Sequence, residues 1–112
     1  FGSLGTVTLI SEAAACARRA GIADSVLVDC LRRGGGHGAA LDRLAPYLLE
    51  GETAQMRFTV NNGLKDLTYY NHMAAEVQTS HAIAEAVRQT MAQLSEAGHG
   101  EAMLPEQVAY IP

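Results

Sequence analysis

At 112 residues, with 48% hydrophobic residues and a formal charge of −4, the chain can bury one hydrophobic core without disulfides or metals, and it lacks the composition of a disordered segment. Eight basic against twelve acidic side chains offer no positive field for a phosphate backbone, which excludes nucleic acid as an expected partner, and no apolar run is long enough to span a bilayer. Aromatic residues make up only 5% while alanine is abundant, a balance that favours closely packed helices over strands.

From Leu4 to Ala20 apolar side chains recur at Leu4, Val7, Ile10, Ala14 and Ala17, a helical stripe with Arg18 and Arg19 in its last turn and Gly21 as its stop. Asp24 or Ser25 can cap a second helix through Val26, Leu27, Cys30 and Leu31, which ends at Arg32-Arg33; the two helices should form a hairpin. Cys16 and Cys30 lie among apolar residues within these patterns, so they are expected to act as small reduced hydrophobes in a reducing, cytoplasmic setting. Leu9 and Ala13 beside the first stripe widen its apolar face and predict burial against a further surface, as in a homo-oligomer.

The run Gly34-Gly35-Gly36-His37-Gly38 reads as a turn, with close approach of a ligand as the alternative. Helical spacing resumes from Ala39 to Leu49 through Leu41, Leu44 and Leu48, where Pro46 should kink or restart the helix before Gly51. After a loop from Glu50 to Gln55, Met56 to Val60 predicts an extended lead-in with no second strand to pair with it.

Asn61 or Asn62 is then expected to cap a helix with an inward stripe of Leu64, Leu67, Tyr70, Ala74 and Val77, while Lys65, Tyr69 and His72 share another face. Thr79 and Ser80 can cap the next helix, with Ile83, Ala86, Val87, Thr90, Met91 and Leu94 inward and a stop at Gly98. Beyond Gly98-His99-Gly100, Leu104 to Ile111 predicts a short last helix with Pro105 in its first turn. The expected fold class is all-α, a bundle of about six helices forming one domain over residues 1–112, since neither a repeat nor a linker divides the chain.

Few side chains suggest chemistry by spacing alone. No glycine-rich loop follows a strand, so a dinucleotide or phosphate fingerprint is missing, and no GxSxG elbow places a nucleophile. His37, His72, His81 and His99 are scattered and the two cysteines form no short pair, so no metal site is expected. The Lys65, Tyr69 and His72 face is the strongest local feature, although a solvated or interface face has the same residue types.

The order of segments carries more: "EAAACARRAGI", a glycine-rich turn, "PYLLEGE", "FTVNNGLKDL" and "GHGE" before a last helix. Together these resemble the C-terminal domain of the β-hydroxyacid dehydrogenases, the family of 3-hydroxyisobutyrate dehydrogenase and tartronate semialdehyde reductase, related to 6-phosphogluconate dehydrogenase. The resemblance implies a helical dimerisation and substrate-cleft domain truncated at its N-terminus, following a Rossmann domain that binds NAD or NADP. It implies hydride transfer between nicotinamide and a small β-hydroxyacid substrate by the whole enzyme, and an inactive fragment without it.

By the same resemblance Lys65 matches a lysine lining the cleft near cofactor and substrate, Phe58 matches an apolar wall of that cleft, and Asp66 would anchor its helix through a hydrogen bond or ion pair. The family's principal catalytic lysine would lie upstream of Phe1, so no catalytic residue is assigned within the chain. Thr79-Ser80-His81 stands where the family commonly has a proline, and Tyr69-Tyr70 is bulkier than usual. The alternatives are the corresponding domain of an imine-reducing relative and a non-enzymatic helical interaction module.

Overall fold

In the computed structural model, which describes all 112 residues, the chain forms α1 (Gly2–Arg19), α2 (Asp24–Arg33), α3 (Ala39–Glu50), α4 (Val60–Glu76), α5 (Ala82–Leu94) and α6 (Gln107–Tyr110). A π-helical turn (Ser95–His99) follows α5, and a 3-10 turn (Leu104–Glu106) leads into α6. The fold is all-helical as expected, and no helix is long and apolar enough to cross a membrane.

α1 is the central helix because apolar and small residues cover more than one of its sides. Val7 and Ala15 join Val60, Leu67, Met91, Leu94, Leu104 and Ile111 in one core. Ile10 and Ala14 join Val28, Leu41, Leu44, Leu48 and Val108 in another. Between the two, Ser11 satisfies its buried hydroxyl by donating to the Val7 carbonyl at 2.8 Å, and the side chains of buried Thr8 and Gln107 meet at 3.4 Å. A fully buried Leu such as Leu41, Leu44 or Leu67 contributes about 1.5–3 kcal/mol relative to exposure.

The ends of these helices follow from local chemistry. α1 stops where Gly21 takes a left-handed conformation at φ 80° and Ile22 N–H reaches back to the Ala17 carbonyl at 2.9 Å. The expected cap by Asp24 or Ser25 is not formed: Ala23 occupies the cap position. Asp24 instead receives Arg18 Nε and Nη2 at 3.0 and 2.9 Å, and this forked ion pair ties α1 to α2. α3 is one continuous helix through Pro46, so the helix does not restart there, and it ends at Gly51, with φ 72°.

Several further expectations are corrected by the packing. Met56 to Val60 does find a partner, because the Gly98–Gly100 turn returns the chain: Thr59 bridges to Met103, Leu104 N–H donates to the Phe58 carbonyl at 2.8 Å, and Val60 N–H donates to the Ala102 carbonyl at 2.9 Å. α4 is capped by Thr59, whose side chain accepts from Asn62 N–H at 3.1 Å, and not by Asn61 or Asn62. α5 begins after His81, with no side-chain cap from Thr79 or Ser80.

The buried face of α4 is Val60, Gly63, Leu67, Asn71 and Ala74, while Val77 is exposed. On α5 the buried residues are Ala84, Met91 and Leu94, and Ile83 and Ala86 are exposed. α5 rotates so that Ala84 faces its neighbours, which turns Ile83 outward. Both cysteines are exposed free thiols rather than core residues, because the apolar faces of α1 and α2 turn their other sides inward.

Candidate functional site

α4 carries the residues that the sequence marks for chemistry. Thr59 fixes where the helix starts, so Lys65 and Asp66 fall on its second turn, Lys65 opposite the buried row of Gly63 and Leu67 and Asp66 on its flank. Both are exposed. Lys65 takes part in none of the ion pairs of the chain. Its helical neighbours at three and four residues are Asn61, Asn62, Thr68 and Tyr69, none of them a carboxylate, so the ammonium is free to meet a group from outside.

Asp66 does not form the ion pair or hydrogen bond expected to anchor it. Its neighbours at the same spacings are Asn62, Gly63, Tyr69 and Tyr70, which supply no cation. Phe58, by contrast, is half-buried: it packs against the core that includes Val60, Leu67 and Met91, and its carbonyl accepts from Leu104 N–H at 2.8 Å. Phe58 thus precedes α4 as a partly buried apolar side chain, and Lys65 is a free cation on the second turn of that helix. Neither lines either of the two hollows described below.

The first hollow is an apolar groove of about 630 Å³ between α1 and α5, lined by Phe1, Leu9, Ile83 and Val87 among others, with Glu12 at its edge. Leu9 and Ile83 are 69% and 73% exposed, an unusual placement for two large aliphatic side chains. The Phe1 ring also packs on Tyr70, with ring centroids 4.9 Å apart.

The second hollow is polar, about 340 Å³, and begins three residues beyond Lys65. Thr68, Asn71 and His72 of α4 face His81, Glu85 and Arg88 across it. Arg88 donates to Glu85 through Nε at 2.8 Å and Nη2 at 2.7 Å, Gln89 donates to it at 3.1 Å, and Asn71 Nδ2 donates at 2.7 Å. Hydrogen bonds from Arg88 first, opposed by desolvation and aided by Gln89, Asn71 and the Arg88 charge, hold the Glu85 carboxyl down at about 2. The same pairing raises Arg88.

Spacing along α4 shows only part of this cluster. His72 was marked by its alignment with Lys65, but Asn71, Glu85 and Arg88 were not singled out. The signal available was Asn71 lying four residues after Leu67 and three before Ala74, in register with the buried row, together with Arg88 and Gln89 three and four residues after Glu85. No three His, Cys, Asp or Glu side chains gather closely enough to hold a metal ion.

A family model described as "NAD-binding of NADP-dependent 3-hydroxyisobutyrate dehydrogenase" matches residues 3–111. Sequence comparison with curated proteins finds no match. Among solved structures, the fold is similar to that of 3-hydroxyisobutyrate dehydrogenase from Salmonella typhimurium, with a TM-score of 0.85 at 23% identity. The match covers 98% of this chain and 38% of that one, so the present helices span under two-fifths of the length of that enzyme.

Proposed function

This chain belongs to the family "NAD-binding of NADP-dependent 3-hydroxyisobutyrate dehydrogenase", and on that premise we propose that it is the helical cleft domain of an NAD(P)-dependent oxidoreductase acting on a small β-hydroxyacid. The observation that carries the reading is the family match over residues 3–111. The exposure of Lys65 and its lack of an ion-pair partner in the chain support its placement at the cleft.

In this reading the substrate is an anion, and Lys65 supplies the opposite charge at the mouth of the cleft. There its ammonium holds the substrate or an anionic edge of the cofactor without first breaking an internal ion pair. Phe58 excludes water from the same side. Asp66, next to Lys65 and also free of partners within the chain, is available to a group on the facing domain.

The donor set suits the cofactor at one edge only: Lys65 and Phe58 would approach it, whereas the all-helical chain has no strand–glycine loop–helix to cradle a pyrophosphate. When bound, the nicotinamide supplies the hydride acceptor or donor. The residues of this chain orient and shield the reacting pair.

Self-association is part of the same reading, supported by the apolar α1–α5 groove with its exposed Leu9 and Ile83. The exposed free thiols Cys16 and Cys30 suit a reducing compartment such as the cytoplasm. The test is direct: the protein that carries this domain is mixed with 3-hydroxyisobutyrate and other small β-hydroxyacids in the presence of NADP or NAD, and the reduced nicotinamide is followed by its absorbance. Formation of reduced cofactor with at least one such acid is expected. None with any member of the panel overturns the proposal.

A further inference from the structure

The chain is held from two sides where α6 ends. Ile111 is buried in the core with Val7, Leu67 and Met91, its N–H donates to the Gln107 carbonyl at 2.9 Å, and its own carbonyl accepts from Arg19 Nη2 at 2.6 Å. Tyr110, the residue before it, is thereby fixed while its ring stays partly exposed. His99 lies flat on that ring, with centroids 3.8 Å apart and planes inclined by 7°. This is closer than the roughly 4.5–7 Å at which aromatic centroids usually rest.

His99 closes the π-helical turn, and the residues after it carry the start of α4. The Gly100 carbonyl accepts from Asn61 N–H and the Ala102 carbonyl from Val60 N–H, each at 2.9 Å. These are first-turn amides, which have no partner inside their own helix. Ala102 N–H in turn donates to the His99 carbonyl at 3.1 Å. The stack therefore pins to α6 the same turn that satisfies α4.

His99 is half-buried and belongs to none of the ion pairs, so its ring can exchange a proton with solvent. Beside it on the same turn are Glu96 and Glu101, the latter accepting from Asn61 Nδ2 at 3.0 Å. Around Tyr110 are Glu106 and Tyr47, whose charges interact with it and with Arg18. Arg18 is itself bound to Asp24, and Arg19 is engaged by the Ile111 carbonyl. The first ionisable side chain of α4 is Lys65.

We infer that His99 and Tyr110 form a proton-dependent latch, in which the imidazolium is held on the phenol face and closes the Gly98–Gly100 turn on the start of α4. Histidine ordinarily changes charge between about pH 5 and 8. A cation over an aromatic face is attracted by the ring quadrupole, and a neutral imidazole lacks that attraction. The latch is tight on the acid side of this range and slackens as pH rises through it. Its effect falls on the helix that bears Lys65, whether or not the chain serves a dehydrogenase.

The test is hydrogen exchange at the Val60 and Asn61 amides of the protein that carries this domain. Exchange is expressed as protection relative to the unfolded chain at the same pH, which cancels its intrinsic pH dependence. Wild type, His99→Gln, Tyr110→Leu and the double variant form a cycle, run at about pH 5.5 and about pH 8. The cycle removes whatever Glu96, Glu101 or Arg19 does to either ring alone. The coupling between the rings should be about two- to fivefold larger at the lower pH, the worth of an exposed cation–π contact, and Tyr110→Phe should retain it.

A coupling that is equal at the two pH values, or larger at the higher one, overturns the inference. So does a pH-dependent coupling that appears in the global melt but not at Val60 and Asn61. If Tyr110→Leu does not fold, wild type and His99→Gln decide. The 13C signals of the Tyr110 ring, assigned with Tyr110→Phe, should move between the two pH values in wild type and stay still in His99→Gln. Signals that move in neither protein, or equally in both, overturn the latch.

Discussion

The Asn61 side chain lies directly over the backbone of Gly100, where a Cβ would overlap it, while Asn61 N–H donates to the Gly100 carbonyl at 2.9 Å. Asn61 cannot easily move aside, since its Oδ1 accepts from Ser95 Oγ at 2.7 Å and its Nδ2 donates to Glu101 at 3.0 Å. The pair locks the turn after α5 onto the start of α4. Gly100→Ala is therefore expected to destabilise the fold by about 1–3 kcal/mol as an overpacking change, lowering the melting temperature by several degrees. Combining it with Asn61→Ala should cost less than the sum of the two single changes, a coupling that a double-mutant cycle in urea reads.

The start of α4 also depends on one hydroxyl. Thr59 accepts from Asn62 N–H at 3.1 Å while its backbone belongs to the bridge with Met103. Thr59→Ala should cost about 1 kcal/mol, and Thr59→Ser should retain most of the wild-type stability. If the alanine and serine variants melt together, the cap contributes nothing.

Glu85 gives the fold an acid-sensitive clamp between α4 and α5. Its ordinary value is 4.5 and its folded value is about 2. A carboxyl depressed in the folded state stabilises fully above the unfolded value, and the contribution fades as pH falls from there toward the folded value. The wild type should therefore lose stability over that window. Glu85→Gln should be less stable near neutral pH, and the gap should close near pH 2. Parallel curves for the two proteins across the whole range would refute the clamp.

Helix existence was legible because apolar spacing and stops coincide: Val7, Ile10, Ala14 and Ala17 are buried on α1, and Gly21 and Gly51 end their helices in the left-handed region. What was not legible depends on tertiary packing. A stripe drawn through hydrophobic residues passes over Asn71, which is buried only because Glu85 on the next helix accepts its amide hydrogen. The same template placed Val77 and Ile83 inward, although both lie near the α4–α5 turn, where there is little to pack against. The pairing of Thr59 with Met103 joins segments 44 residues apart in number (103 − 59), so no local pattern announces it. Lys65 and Phe58 were marked only through the resemblance in segment order, and within these helices Lys65 stays exposed.

The exposure of Lys65 permits a clean separation of function from stability. Lys65 is exposed and bonded to nothing in the chain, so Lys65→Ala should change stability by less than about 0.5 kcal/mol. On the proposed function, in which Lys65 meets an anionic substrate or cofactor edge, the same change in the protein carrying this domain should cost about 10–100-fold in kcat/KM, the worth of one charge-assisted hydrogen bond. Lys65→Arg, which keeps the charge but changes the geometry, should fall between the two. Because the interaction is with a charge, raising the salt concentration should reduce the wild-type rate more than that of Lys65→Ala. Wild-type kcat/KM in Lys65→Ala, with an unchanged melt, would remove Lys65 from the cleft and leave it a solvated lysine on α4.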